Sequence, residues 1–442
     1  MPESTHVSPD EMMRFVRNEL PAIQAQSLVS HLLSGCADCL ALARQEGALE
    51  GAEDGAPGDD GSALMDHLGL MAQVVQRQVD TQLKRGSTQW ARLASLSPGQ
   101  RLTLLRDDPS MHHWSLLRHA LDACSQAGKT NPVEAVDIAH FAVAVVESLD
   151  VEVYRPAPVN DFRSRALTAL ANAKRSATDF SGSEQAFLSA RRAVEQGTGD
   201  PYERANVLSH EALLLRDLGD FEKAFEVLDE AFQLYHRAGD THLCGRVLIQ
   251  QAGTIGFVDP MKGVELARQG LEMLDLQAGD TYLELSARNA LAHLLNDAGY
   301  AEEARALFEQ HRHLYAKFPS VAAQSRMHWL DGLIARNLGD FPTAERRFRD
   351  LRAVFAQHSF DLELALVSLD LAEILLWSRR NEEAAGLIHE TYPVLATWGL
   401  ERDLLTLWLT LEQHIRSEAE EATLLMRNVA GILRRGWNRR RE

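Results

Sequence analysis

Long apolar runs are missing from this 442-residue chain. Its longest purely apolar stretches are a handful of residues, far short of the roughly 20 that a membrane-crossing helix needs. The opening MPESTHVSPDE lacks the basic and apolar regions of an export signal, so a cytoplasmic protein with no membrane partner is expected. Cysteine is scarce as well: four residues cannot frame a disulfide scaffold at this size. Positive charge is outweighed, with 45 Lys and Arg against 63 Asp and Glu and a formal net charge of -18. Most of the surface therefore repels a phosphate backbone, and nucleic acid is not an expected partner. The local exception, Arg434, Arg435, Arg439, Arg440 and Arg441 around Trp437, reads as a solvated helix end.

Also absent are a phosphate-cradling glycine loop, a G-x-S-x-G elbow, an H-E-x-x-H pair and a dinucleotide fingerprint. Neither an enzyme nor a small-molecule substrate is expected. No clean alternation of β-branched residues occurs, which excludes a strand-rich fold. What is present, 45% hydrophobic and 24% charged residues, suffices for two or three ordinary cores.

A period of 40 residues organises the chain. Gly-Asp pairs recur at Gly199/Asp200, Gly239/Asp240 and Gly279/Asp280, and a second series falls at Gly219/Asp220, Gly299/Tyr300 and Gly339/Asp340. Glycine ends one helix in the left-handed conformation, and aspartate caps the next. Two such junctions per period predict two helices per unit. The first helix carries Asn172, Ala212, Ala252, Ala292, Gly332 and Ala372 at one register position. The second carries Ala224, Ala304, Ala344 and Ala384, each followed four residues later by Leu228, Phe308, Phe348 or Ile388. Small residues let the paired helices approach, and the bulky ones fill the space towards the next pair.

This spacing of small, small and large residues around a glycine turn resembles the tetratricopeptide repeat over residues 161–400, in six units. The resemblance implies an all-α, tetratricopeptide-like α-solenoid, a right-handed superhelix of helix pairs that binds proteins. The units are about 40 residues long instead of 34. The third is irregular, with Phe257, Asp259, Pro260 and Val264 in place of the glycine turn and alanine. Residues 63–160 read as a helical connecting region. It holds a helix from Ala63 to Lys84, one repeat-like pair that includes a start at Asn131/Pro132, and an extended connector from Val151 to Asn160. Residues 401–442 are expected to cap the stack and end in the basic tail. First helices usually line the inner surface of such an array, which makes Asn172, His210, Gln250, Asn289, His293, His328 and Asp370 candidate partner-binding residues. Trp329, Trp377, Trp398 and Trp408 read as repeat packing, Cys124 and Cys244 as small core residues, and His112, His113, His311 and His313 as surface or packing residues.

The first 45 residues differ. Ser8, Pro9 and Glu11 form a capping-box start, and a second amphipathic helix beyond Pro21 delivers HLLSGCADC. His6, His31, Cys36 and Cys39 supply the donors of a four-coordinate zinc ion. A C-x-x-C pair also suits a metal-free packed turn or a redox-switched disulfide, and all three remain open. The pattern resembles the zinc-binding anti-sigma domain of bacteria, with four residues between His31 and Cys36 where that family usually has three; Gly35, by ending the helix early, accommodates the extra one. Residues 46–62, acidic and glycine-rich, read as a flexible linker spanning on the order of 20 to 25 Å, whose cleavage would free the head.

The resemblance implies a regulatory adaptor whose zinc head captures a sigma-type transcription factor while the array binds a second protein. The alternative is an interaction scaffold that recruits, inhibits or is cut by a protease or effector in a bacterial stress or defence pathway. A zinc-finger DNA binder would need a basic face that the head lacks.

Overall fold

The computed structural model describes residues 6–33, 35–48, 62–276, 279–358 and 360–397, and every regular element among them is a helix. No described helix is long and apolar enough to cross a membrane. Contacts divide the chain into two bodies, Met1–His210 and Glu211–Glu442.

The first body opens with three short helices, α1 (Pro9–Val16), α2 (Ala22–Leu33) and α3 (Ala37–Gln45). The Ser8 hydroxyl accepts from the Glu11 amide, and the Glu11 carboxylate accepts from the Ser8 amide, closing the expected capping box. Gly35, at φ 82°, turns the chain between α2 and α3. There follow α4 (Ser62–Ala94), α5 (Pro98–Asp107), a 3-10 turn at Pro109–Met111, α6 (Trp114–Ala127) and α7 (Pro132–Glu147). Helix α4 runs past the expected end at Lys84, for about 50 Å in all. Its interior Gly86 has a packing reason, because a Cβ there would lie 2.6 Å from the Ser115 carbonyl oxygen of α6.

Two expectations for this body are corrected. The stretch from Val151 to Asn160 is helical, not extended: α8 (Val151–Tyr154) is capped by Asp150, and α9 (Pro156–Ser176) follows after a kink at Arg155, φ 69°. Pro156 and Pro158 occupy the first turn of α9, where a missing N–H costs nothing. The head is also no separate module. Ala22, Ala25 and Val29 of α2 share one core with Val75, Val79, Trp114 and Tyr154. Gln24 Nε2 donates to the Tyr154 carbonyl (2.6 Å), Arg14 Nη2 donates to the Val153 carbonyl (2.9 Å), and Arg155 pairs with Asp10. The body closes with α10 (Phe180–Glu195), and the division falls inside α11 (Pro201–Asp217).

The second body continues with α12 (Phe221–Arg237), α13 (Thr241–Ile255), α14 (Pro260–Met273), α15 (Thr281–Asp297) and α16 (Ala301–His311). After a 3-10 turn at Arg312–Lys317 come α17 (Val321–Asn337), α18 (Phe341–Gln357), α19 (Asp361–Trp377) and α20 (Asn381–Thr397). Consecutive helices pack in sequence, α13 on α14, α15 on α16, α17 on α18 and α19 on α20, the antiparallel pairing of a tetratricopeptide-like solenoid. Asp220, Asp240, Asp280 and Asp340 each accept a backbone N–H three residues on, after glycines at φ 78 to 83°.

Register decides the packing. Ala252, Ala292 and Ala372 on the first helices and Ala304, Ala344 and Ala384 on the second are all at most 2% exposed, and Phe308, Phe348 and Ile388 are buried as well. At Gly332 a Cβ would meet the Phe348 ring at 2.5 Å, so only glycine admits that ring. The irregular third unit uses another device. Gly245 and Gly270 face each other across α13 and α14, and a Cβ on either would lie 2.7 or 2.9 Å from the other's carbonyl oxygen. The expected C-terminal capping helices and basic tail, Trp398 and Trp408, and linker residues 49–61 lie outside the described residues.

Candidate metal centre

Helix α2 ends two residues before Gly35, and α3 begins one residue after Cys36. Cys36 is therefore the N-cap of α3, and Cys39 lies in its first turn. Both thiols stand at the N-terminal end of α3. His31 comes from the last turn of α2, and His6 from the segment before α1.

The four ligand atoms lie within 4.8 Å of one another. His31 Nε2 is 3.2 Å from Cys39 Sγ, and His6 Nδ1 is 3.4 Å from Cys36 Sγ and 3.7 Å from Cys39 Sγ. Zinc bonds of about 2.0 Å to nitrogen and 2.3 Å to sulfur give tetrahedral edges of about 3.5 Å, which these separations match. The cluster can hold a metal ion. Cys39 is 1% exposed, and its sulfur accepts from the Val7 amide at 3.3 Å. Burial pushes the Cys39 thiol up, against the Val7 hydrogen bond, and a bound cation would reverse that balance. Around the cluster is a small core of Met12, Leu28, Leu32, Ala43, Ala48 and Leu68. Around so small a core, a bound metal ion would contribute a large share of local stability.

Sequence reasoning missed three features here. One is Asp38, whose Oδ2 lies 3.5 Å from His6 Nε2. Another is the Val7 amide. The third is an apolar groove of about 400 Å³ between α1, α2 and α4, lined by Phe15, Leu20, Leu70, Met71, Val74 and Val75. Leu70 is 62% exposed, Val74 54% and Val16 43%. Leu70 and Val74 have helical spacing in the sequence, but nothing there says which face of α4 is left uncovered.

None of the seven inner-surface candidates is fully exposed. Asn172 is half-buried and accepts from Arg175 Nε, the His210 ring bonds its own helix at the Asn206 carbonyl (2.8 Å), and Asn289 accepts from the Tyr315 hydroxyl. Gln250 is half-buried, its Oε1 enclosed without a hydrogen-bond partner. His293 and His328 are half-buried, and burial holds the His328 ring below its ordinary pKa. Asp370 is 2% exposed and accepts from Trp329 Nε1 (2.7 Å) and Arg336 (3.2 Å), an interior ion pair among the described residues. Trp329 packs on Phe355, whereas Trp377 stacks on Phe341 yet stays 54% exposed. His113 caps α6 and meets Gln89, while Cys124 and Cys244 are buried.

Helix pairs of the tetratricopeptide kind behind a His₂Cys₂ cluster define the class of molecule. No family model matches the chain, and no curated protein matches it. Among solved structures it is similar to a Rap protein complexed with competence and sporulation factor, at a TM-score of 0.55 and 12% identity over 73% of this chain and 87% of that one. It is also similar to aspartyl phosphate phosphatase F from Bacillus subtilis, at 0.48 and 10% identity over 88% and 94%. The first likeness is one of fold; the second is too low to carry an argument.

Proposed function

We propose that the chain is a non-enzymatic regulatory adaptor of the cytoplasm, whose head holds zinc and captures a sigma-type transcription factor while the helix pairs bind a second protein. The observation that carries the reading is an apolar groove in the same body as the His₂Cys₂ cluster, uncovered among the described residues. Leu70, Val74 and Val16 on its surface are the kind of patch that a monomer covers with a partner. From His67 to Gln78 it follows α4 for about 17 Å, the length of three helical turns, and so suits an amphipathic helix better than a small molecule. Zinc is the fitting ion, since two cysteine sulfurs and two imidazoles within 4.8 Å of one another are its preferred donors. A fold of this kind has been solved with a bound factor, which supports a binding role for the array.

The test is co-purification on full-length protein. A sigma-type factor retained by the wild type and lost at least tenfold with Leu70→Asp plus Val74→Asp supports the reading. Retention by both, or no such factor among the captured proteins, overturns it. The scaffold reading, in which the array recruits a protease or effector, is favoured by one observation: Phe257, Val258 and Met261 at the α13–α14 turn are 41%, 69% and 42% exposed. It predicts that the groove variant keeps its main partner and that Val258→Asp loses it.

A further inference from the structure

We propose that Asp38 is a positioning residue of the metal centre, holding the His6 ring through Nε2 so that Nδ1 faces the two sulfurs. This rests on the zinc reading above. The two ring nitrogens have different neighbours: Nδ1 lies 3.4 and 3.7 Å from the cysteine sulfurs, and Nε2 lies 3.5 Å from Asp38 Oδ2. A neutral imidazole carries one N–H. A carboxylate beside Nε2 favours the proton there and leaves the Nδ1 lone pair free for a cation, the usual division of labour between a ligating histidine and its outer partner.

The need for such a restraint follows from where His6 sits. Its side chain is 51% exposed, whereas Cys39 is buried. The Val7 amide ties the neighbouring backbone to Cys39, and Ser8 fixes the start of α1. Rotation of the His6 side chain is the freedom that remains, and ordering an exposed side chain costs entropy that a preset ring avoids. Asp38 lies between the two cysteines in the first turn of α3. One helical turn thus carries both thiols and the carboxylate that aims the third ligand.

The test uses full-length protein stripped of metal and titrated with zinc against a competing chelator, with cobalt absorption reporting the ligand field. Asp38→Ala is expected to weaken zinc about tenfold, and Asp38→Asn less, because its amide oxygen keeps an acceptor beside Nε2. In a His6→Cys background a thiolate replaces the ring and keeps the site four-coordinate, so adding Asp38→Ala should change affinity less than about twofold. Unaltered affinity in the single variant, or the same tenfold loss in the His6→Cys background, overturns the proposal. A wild type that takes up neither zinc nor cobalt sinks the metal reading itself and the positioning role with it.

Discussion

Six turns join the two helices of a unit, and single residues distinguish them. Gly219, Gly299 and Gly339 take φ 79 to 89° without cost, but Thr178 and Arg379 are held at 63° and 57° in the equivalent turns. A left-handed residue with a Cβ costs on the order of 1–2 kcal/mol, more for a β-branched one. Thr178→Gly should therefore stabilise the protein by up to about 1 kcal/mol, after allowing for the greater freedom of unfolded glycine, and Arg379→Gly by rather less. Urea midpoints check this; a loss in both variants would show that side-chain contacts outweigh the strain. A second residue-scale effect concerns acid. Burial, with Arg85 and His112 adding to it, pushes the His113 ring from 6.5 to about 4. Between those values the unfolded chain binds more protons, so stability present above pH 6.5 falls as the pH drops towards 4. From pH 7 to 5 the loss assigned to His113 is on the order of 2 kcal/mol. His113→Gln should flatten the pH dependence of the unfolding midpoint by about that amount.

At the scale of elements, the helix ends were legible because capping chemistry is local. An aspartate three residues before its N–H partner needs no knowledge of the rest of the chain, and Asp220, Asp240, Asp280 and Asp340 all cap as their spacing implies. The turns at Thr178 and Arg379 were invisible, since neither residue type announces a left-handed conformation. Likewise, Gly245 and Gly270 look like poor helix residues until α13 and α14 are seen in contact. The stretch from Val151 to Asn160 misled for a related reason: two prolines disfavour a helix interior but suit its first turn. The head-to-body contacts were equally hidden, because they depend on which face of α2 meets α4. A protease site engineered into residues 50–60 checks that correction. After cleavage the two fragments should elute together in size exclusion without denaturant; separate elution would restore the picture of a tethered module.

For the whole molecule, a metal ion bound at the His₂Cys₂ cluster and the helix pairs of the second body would stabilise different parts. Chelation should abolish hydrogen-exchange protection of α1 and α3, where the core is only a few residues, while α13 to α20 keep theirs. Loss of protection in both bodies, or in neither, would contradict a local structural metal.

The sequence by itself determined the all-helical stack and the four clustered donors, because both are written in short-range periodicities: a 40-residue stride of small and large side chains, and H-x4-C-x2-C after an early histidine. The tertiary structure alone decided that Asp370 is an interior counter-ion and that the head shares its core with α4. It likewise placed an uncovered groove beside Leu70 and Val74 and brought Asp38 to the far side of the His6 ring. Those outcomes depend on which surfaces meet across long stretches of chain, and a helix's own spacing shows that it has an apolar face without naming what covers it.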